Sequence, residues 1–157
     1  MNPAPRRILA LGARTPVGLT MPASAAAERA GISRLCEHPF LADEDREPLR
    51  VAYDHGIELA EVGFTRLQQL AASALHEVAQ SVESGLEVEL LLATPEPRPG
   101  WTLEDERALV QRLAALELAP LIVRNAEVVG RGHAGGLQAL ERALQDPRRE
   151  MGFVVCG

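Results

Sequence analysis

Residues 121–144 decide the fold, and they read LIVRNAEVVGRGHAGGLQALERAL. Residues 121–129 are rich in apolar side chains and favour a strand, residues 130–136 form a glycine-rich turn, and residues 137–144 have helical spacing. A strand that enters a helix through a tight turn is typical of a mostly parallel sheet with helices packed on it. The sequence therefore predicts a layered α/β fold.

The same alternation extends along the rest of the chain. Strands are predicted at residues 8–11, 87–93 and 153–156, and helices at residues 22–30, 65–82 and from 102 to about 118. Thr20 caps the first of these helices, and Thr102 with Asp105 forms a capping box for the last. Residues 33–60 are polar and irregular, which indicates a surface excursion, and three prolines make residues 95–100 a loop.

Composition limits the function classes. The 157 residues fit one domain, 1–157, and the net charge of −6 opposes attraction to a phosphate backbone, so we expect no nucleic-acid partner. Every basic residue is arginine, which excludes a Schiff-base or P-loop lysine. Two distant cysteines indicate a reduced, cytoplasmic protein. No apolar run is long enough to span a membrane, and no cluster has metal-ligand spacing.

The glycine-rich turn is the strongest local signal for chemistry. Because it precedes a helix, it gathers unpaired backbone N–H groups at one point, which suits an anion or an oxyanion. Gly130, Gly132 and Gly135 also spell the dinucleotide fingerprint, but this motif needs an acidic residue at the end of the next strand, roughly 20 positions later, and the chain ends first. Glycines that only permit a tight turn are the favoured alternative, so we expect no cofactor. His133 lies in this turn and could act as a base or a donor.

Several segments, taken in order, resemble the thiolase-like superfamily and, within it, the N-terminal half of β-ketoacyl synthases. Residues 8–18, ILALGARTPVG, are similar to the first strand and turn of that family, and residues 30–33, AGIS, to its A-G-x-S-G-I segment. Residues 64–75, FTRLQQLAASAL, resemble its D-R-x-x-x-L-A-x-x-A-A helix. Residues 132–140, GHAGGLQAL, align with its nucleophile turn A-C-A-S-G-L-x-A-L, and residues 152–157, GFVVCG, with the strand that follows.

The resemblance implies half of a thiolase-like fold, truncated after its last strand. It places His133 where the family carries the cysteine that takes the acyl group, and a histidine forms no stable thioester carrier. The family's two histidines and its lysine belong to a C-terminal half with no counterpart here. The resemblance therefore implies a catalytically inactive domain that acts as a partner or scaffold subunit in acyl-chain metabolism of the fatty acid or polyketide type.

Two further expectations follow from this resemblance. The alternative function is an acyltransferase that is active only with a second chain or the missing C-terminal half, with His133 as the base. An uncovered sheet edge and a bare helical layer also predict association, as a homo-oligomer or with another thiolase-fold subunit, and an acyl carrier protein is a further candidate partner.

Overall fold

The computed structural model describes residues 6–82, 85–148 and 151–157. In chain order the elements are α1 (Met21–Arg29), β1 (Leu35–Ala42), β2 (Pro48–Ala52), α2 (Gly63–Gln80), β3 (Leu86–Thr94), α3 (Leu103–Ala114), β4 (Leu121–Arg131), α4 (Gly135–Gln145) and β5 (Gly152–Cys156). Strands β4, β3 and β5 form a parallel sheet in that order, and β1 pairs with β2 in a separate antiparallel hairpin. The predicted α/β class with a parallel sheet is confirmed.

Helices cover both faces of the parallel sheet. On one face, α2 and α3 pack against alternate side chains of β3, and this layer holds the larger core: Leu75, Ala79, Val88, Leu90, Leu92, Trp101, Leu109, Leu113, Leu118, Leu121 and Val154. On the other face, α4 packs against Leu91 through Ala139 and Ala143. The alternation of Leu90, Leu91 and Leu92 between the two faces is the period of two that a strand requires.

Local interactions determine where the helices begin and end. The Thr20 hydroxyl accepts from the Ala23 N–H at the start of α1, and Thr102 and Asp105 form the predicted capping box of α3. Helix α3 ends at Ala114 instead of near residue 118, because buried Leu118 lies in a turn whose carbonyl accepts from the Leu121 N–H at 2.7 Å. The turn lets Pro120, which has no N–H, lie outside any helix.

The strand predicted at residues 8–11 is wrong. Residues 6–13, which we call the strap, lie outside the sheet, and Ile8, Leu9 and Leu11 are each more than half exposed. Contacts at its two ends explain this position. The Arg6 guanidinium donates to the carbonyls of Asp146, Arg148 and Met151 and lies 4.9 Å from the centre of the Phe153 ring, whereas the Ala13 N–H donates to Glu77 of α2.

The irregular excursion predicted at residues 33–60 is also wrong over part of its length. Strands β1 and β2 form a hairpin there, which we call the arm, with Cys36 opposite Val51 and Glu37 opposite Arg50. The side chain of Asp43 shapes its turn by accepting from the N–H groups of Asp45 and Glu47. The polar composition therefore indicated exposure correctly but did not exclude strands.

Candidate functional site

The carboxyl ends of β3 and β4 meet at the glycine-rich turn. In parallel sheets this edge is where ligands usually bind, because the loops and helix N-termini converge there. The Gly132 N–H donates to the carbonyl of Thr94, the last residue of β3, at 2.9 Å. The Gly135 N–H, at the first residue of α4, donates to the Gly132 carbonyl at 3.1 Å. The turn that carries His133 is thus fixed to the sheet.

Packing explains the glycines of this turn. A Cβ on Gly130 would lie 2.6 Å from the Cα of Gly135, so β4 and α4 approach too closely for a side chain. Gly132 has a φ of +68°, and its Cβ would lie 2.9 Å from the Glu96 carboxylate. Both positions require glycine for reasons of backbone geometry alone. The geometry therefore supplies a structural reason for the fingerprint-like spacing.

His133 lies on the surface, in the turn that leads into α4. Its side chain is exposed, and no hydrogen bond to its imidazole is present within residues 6–82, 85–148 and 151–157. The helix N-cap is Ala134, whose side chain makes no capping bond. The arrangement consequently gives His133 neither an orienting acid nor a nucleophile to activate, which general-base catalysis requires.

An ion pair between a buried carboxylate and a partly exposed arginine lies beside this turn and was not predicted. Glu106 of α3 is buried, and its carboxylate accepts from the Thr94 hydroxyl at 2.6 Å and from the Arg131 guanidinium at 2.8 and 2.7 Å. The hydrogen bonds from Arg131 hold the pKa of Glu106 below its ordinary value, against the opposing effect of burial. The Thr94 hydroxyl is occupied by this bond, so it is not arranged as a nucleophile.

The sequence does contain a signal for this pair. Glu106, Leu109 and Leu113 are spaced three and four residues apart and share the inner face of α3. A carboxylate on an inner helical face needs a buried partner. Arg131 lies at the end of β4 and could have been paired with it once the layer order was known.

Cys156 at the end of β5 is not a nucleophile in this setting. Burial raises the pKa of its thiol to about 11, so the thiol is protonated near neutral pH. Cys156 packs against the larger core as a small hydrophobic side chain does. Trp101 is buried in that core, and its indole N–H donates to the Pro95 carbonyl at 3.2 Å.

A second charge cluster lies where α4 connects to β5. Arg148 donates to both carboxylate oxygens of Glu89 at 2.6 and 2.8 Å and to Asp146, which also accepts from Arg142. The hydrogen bonds from Arg148 hold the pKa of Asp146 far below its ordinary value. Every carboxylate in this cluster has an arginine partner, so the cluster fixes the connection rather than offering a site.

Helix α4 has an unusual distribution of side chains. Its small residues Gly135, Ala139 and Ala143 are buried against the sheet. Its large residues point outward: Leu137 is 72% exposed, Leu140 39% and Leu144 50%. These three leucines, which we call the leucine face, follow the spacing of one helical stripe. Such a stripe in contact with water is typical of a surface that another molecule covers.

No helix in the described ranges is long and apolar enough to cross a membrane. Nor does any group of three or more His, Cys, Asp or Glu side chains within those ranges have an arrangement that could hold a metal ion. In comparisons with known proteins, no family model, no curated protein and no solved structure matches this chain.

Proposed function

We propose that this chain is a catalytically inactive, ketoacyl-synthase-like domain that acts as a partner or scaffold subunit in acyl-chain metabolism. The leucine face of α4 is the observation that carries the proposal. A helix that buries alanines and exposes leucines places its larger hydrophobic area where its own sheet cannot cover it. In this proposal the leucine face packs against a second thiolase-fold domain.

The environment of His133 supports the part of the proposal that concerns catalytic inactivity. In the resemblance to β-ketoacyl synthases this position carries the acyl-accepting cysteine, and here it carries an exposed imidazole without a hydrogen-bonded acid in the described residues. The nearby hydroxyl of Thr94 donates to Glu106, and the thiol of Cys156 has a raised pKa. None of these groups is prepared to take an acyl group.

Intact-mass measurement tests the absence of acyl transfer. Folded protein is incubated with a panel of acyl-CoA and acyl-carrier-protein thioesters, and its mass is then determined. We expect no adduct. An adduct that hydroxylamine removes would contradict the proposal and would support the alternative, an acyltransferase completed by a second chain.

Light scattering tests the leucine face. Leu137→Arg places a charge on the most exposed leucine of the proposed contact, and Val62→Arg is the matched control, because Val62 is 71% exposed at the start of α2. We expect Leu137→Arg to weaken association with a thiolase-fold partner, or with a second copy, by at least tenfold. Equal association of the two variants would exclude the leucine face as the contact.

A further inference from the structure

The arm, residues 35–52, is a sheet that lacks support from the rest of the fold. Strands β1 and β2 pair with each other, and within the described residues neither is hydrogen-bonded to a third strand. Along both strands every side chain is exposed or half-exposed. An isolated two-stranded hairpin is only marginally stable in water, so a third strand or an apolar surface is needed to hold it.

The tip of the arm presents large apolar side chains to the outside. The pairing of β1 with β2 is interrupted between Glu37 and Ala42, and the His38 ring stabilises this bulge by accepting from the N–H groups of Phe40 and Leu41 at 3.1 and 3.0 Å. As a result Phe40 is 81% exposed and Leu41 is also exposed. The bulge is therefore an ordered protrusion with an aromatic side chain at its centre.

The strap offers the kind of surface that the arm lacks. It belongs to no helix or strand, Ile8, Leu9 and Leu11 are exposed, and no main-chain hydrogen bond joins residues 6–12 to a strand within the ranges that the structure covers. Beside it lies an open groove of about 370 Å³, lined by residues 8–11 together with Met21, Pro22, Glu77 and Ser81. A segment that is bonded to no strand, beside a largely apolar groove, is a place where a strand can be added.

Charge distinguishes the two surfaces. The turn of the arm has four carboxylates, Asp43, Glu44, Asp45 and Glu47, and one arginine, Arg46. The first 27 residues contain no acidic residue, and the strap contains Arg6 and Arg7. Arg6 donates to main-chain carbonyls, and no ion pair within the described chain neutralises it. The turn of the arm and the strap are thus complementary in charge, and the Glu77 carboxylate in the groove is held by the N–H groups of Ala13 and Met21.

We propose that the arm of one copy docks on the strap of a second copy, with Phe40 in the groove beside Leu9 and the acidic turn near the arginines. The occupant is a second copy because both complementary surfaces belong to the same chain, and no hydrogen bond joins them within one copy in the described residues. A twofold axis makes the contact twice and closes the assembly as a dimer. This contact is separate from the leucine face of α4.

A mixed-disulfide experiment tests the contact directly. Full-length chains with Cys36→Ser, Cys156→Ser and Leu137→Arg are made in two forms, one with Leu9→Cys and one with Phe40→Cys, and the two forms are mixed and mildly oxidised. We expect disulfides between the two forms to exceed the share that random pairing gives. Because both forms contain Leu137→Arg, failure of the leucine-face proposal would not affect this result.

The matched control replaces Phe40→Cys with Leu103→Cys, since Leu103 is an exposed apolar residue at the start of α3. Random pairing in both mixtures, or equal cross-linking in the two, would overturn the proposal. In light scattering, which uses the Leu137→Arg background throughout, Phe40→Ser should halve the mass of the dimer, whereas Val62→Ser should retain it. In that background a monomeric chain at high concentration, or a dimer that Phe40→Ser leaves intact, would also overturn the proposal.

Discussion

The two faces of the parallel sheet differ in how completely the chain covers them. On the face of α2 and α3, Leu75 and Leu113 are almost completely buried against β3. On the face of α4, Glu89 and Leu91 stand where the first face has Val88, Leu90 and Leu92, and the helix contributes only alanines and glycine to the contact. The first face is a finished core, whereas on the second face α4 leaves its leucines exposed.

Because of this difference, we expect the first face to determine the stability of the folded chain and the second face to determine its association. Burial of a leucine or valine side chain contributes about 1.5–3 kcal/mol to folding, so the α2 and α3 face dominates the free energy of unfolding. The leucines of α4 contribute little to the isolated chain, since water already surrounds them. Substitutions on the two faces should therefore change different measurable quantities.

The largest expected effect is on the first face. Leu113→Ala removes a side chain with no exposed surface and should lower the free energy of unfolding by about 2–5 kcal/mol, through lost burial and the cavity that remains. Leu137→Ala, on the second face, should change it by less than about 0.5 kcal/mol. Urea denaturation of both variants measures the contrast, and equal losses would show that the second face is covered in the free chain.

The buried carboxylate gives the next effect. Because Arg131 holds the pKa of Glu106 below its ordinary value, the ionised pair contributes stability above the unfolded pKa of about 4.3, and this is lost as the pH falls through the folded pKa. Glu106→Gln should cost about 1–3 kcal/mol at pH 7.

Denaturation between pH 7 and pH 3 supplies the control for this prediction. The wild-type chain loses more stability over that range than Glu106→Gln does, since the variant has no carboxylate at this position. Parallel pH profiles of the two proteins would show that the ion pair contributes nothing to folding.

A smaller effect distinguishes two glycines at the edge of the second face. Gly132→Ala should destabilise by about 1–2 kcal/mol, because its φ of +68° is left-handed and the new Cβ would contact Glu96. Gly136→Ala is the matched control. It lies in α4 with no heavy atom within 4 Å of the added Cβ, so the substitution should stabilise by about 0.5–1 kcal/mol. Thermal unfolding reports both signs, and destabilisation by Gly136→Ala would contradict this description of the turn.

The sequence predicted the elements whose determinants are local. The caps at Thr20 and Thr102 and the helical stripe of α2 each depend on neighbouring residues, and the structure confirms those helices. The strand predicted at residues 8–11 was wrong because an apolar run alone does not show which surface, if any, its side chains pack against. There the distant contacts of Arg6 and Ala13 decide the path.

The features of the candidate site also fall into those that a local sequence pattern predicts and those that it does not. The glycine-rich turn and its place before a helix were predictable, since a tight turn leaves a local pattern at Gly130, Gly132 and Gly135. For the Glu106 and Arg131 pair, the helical spacing places Glu106 on the inner face of α3, but its partner lies 25 positions away on another element, so no local pattern identifies Arg131. The exposure of Leu137 depends on which face of α4 meets the sheet, and periodicity alone could not select it.

The smallest expected effect is at His133. An exposed imidazole with no hydrogen bond in the described chain contributes little to folding, so His133→Ala should change the free energy of unfolding by less than about 0.5 kcal/mol. The hydrolysis rate of acyl thioesters in the presence of the protein should also stay at the uncatalysed level before and after the substitution. A thioester-consuming activity that His133→Ala abolishes would make the second face catalytic, because the histidine would then act as a base beside the helix N-terminus. Unchanged rates would support association through the leucines, and not catalysis, as the role of that face.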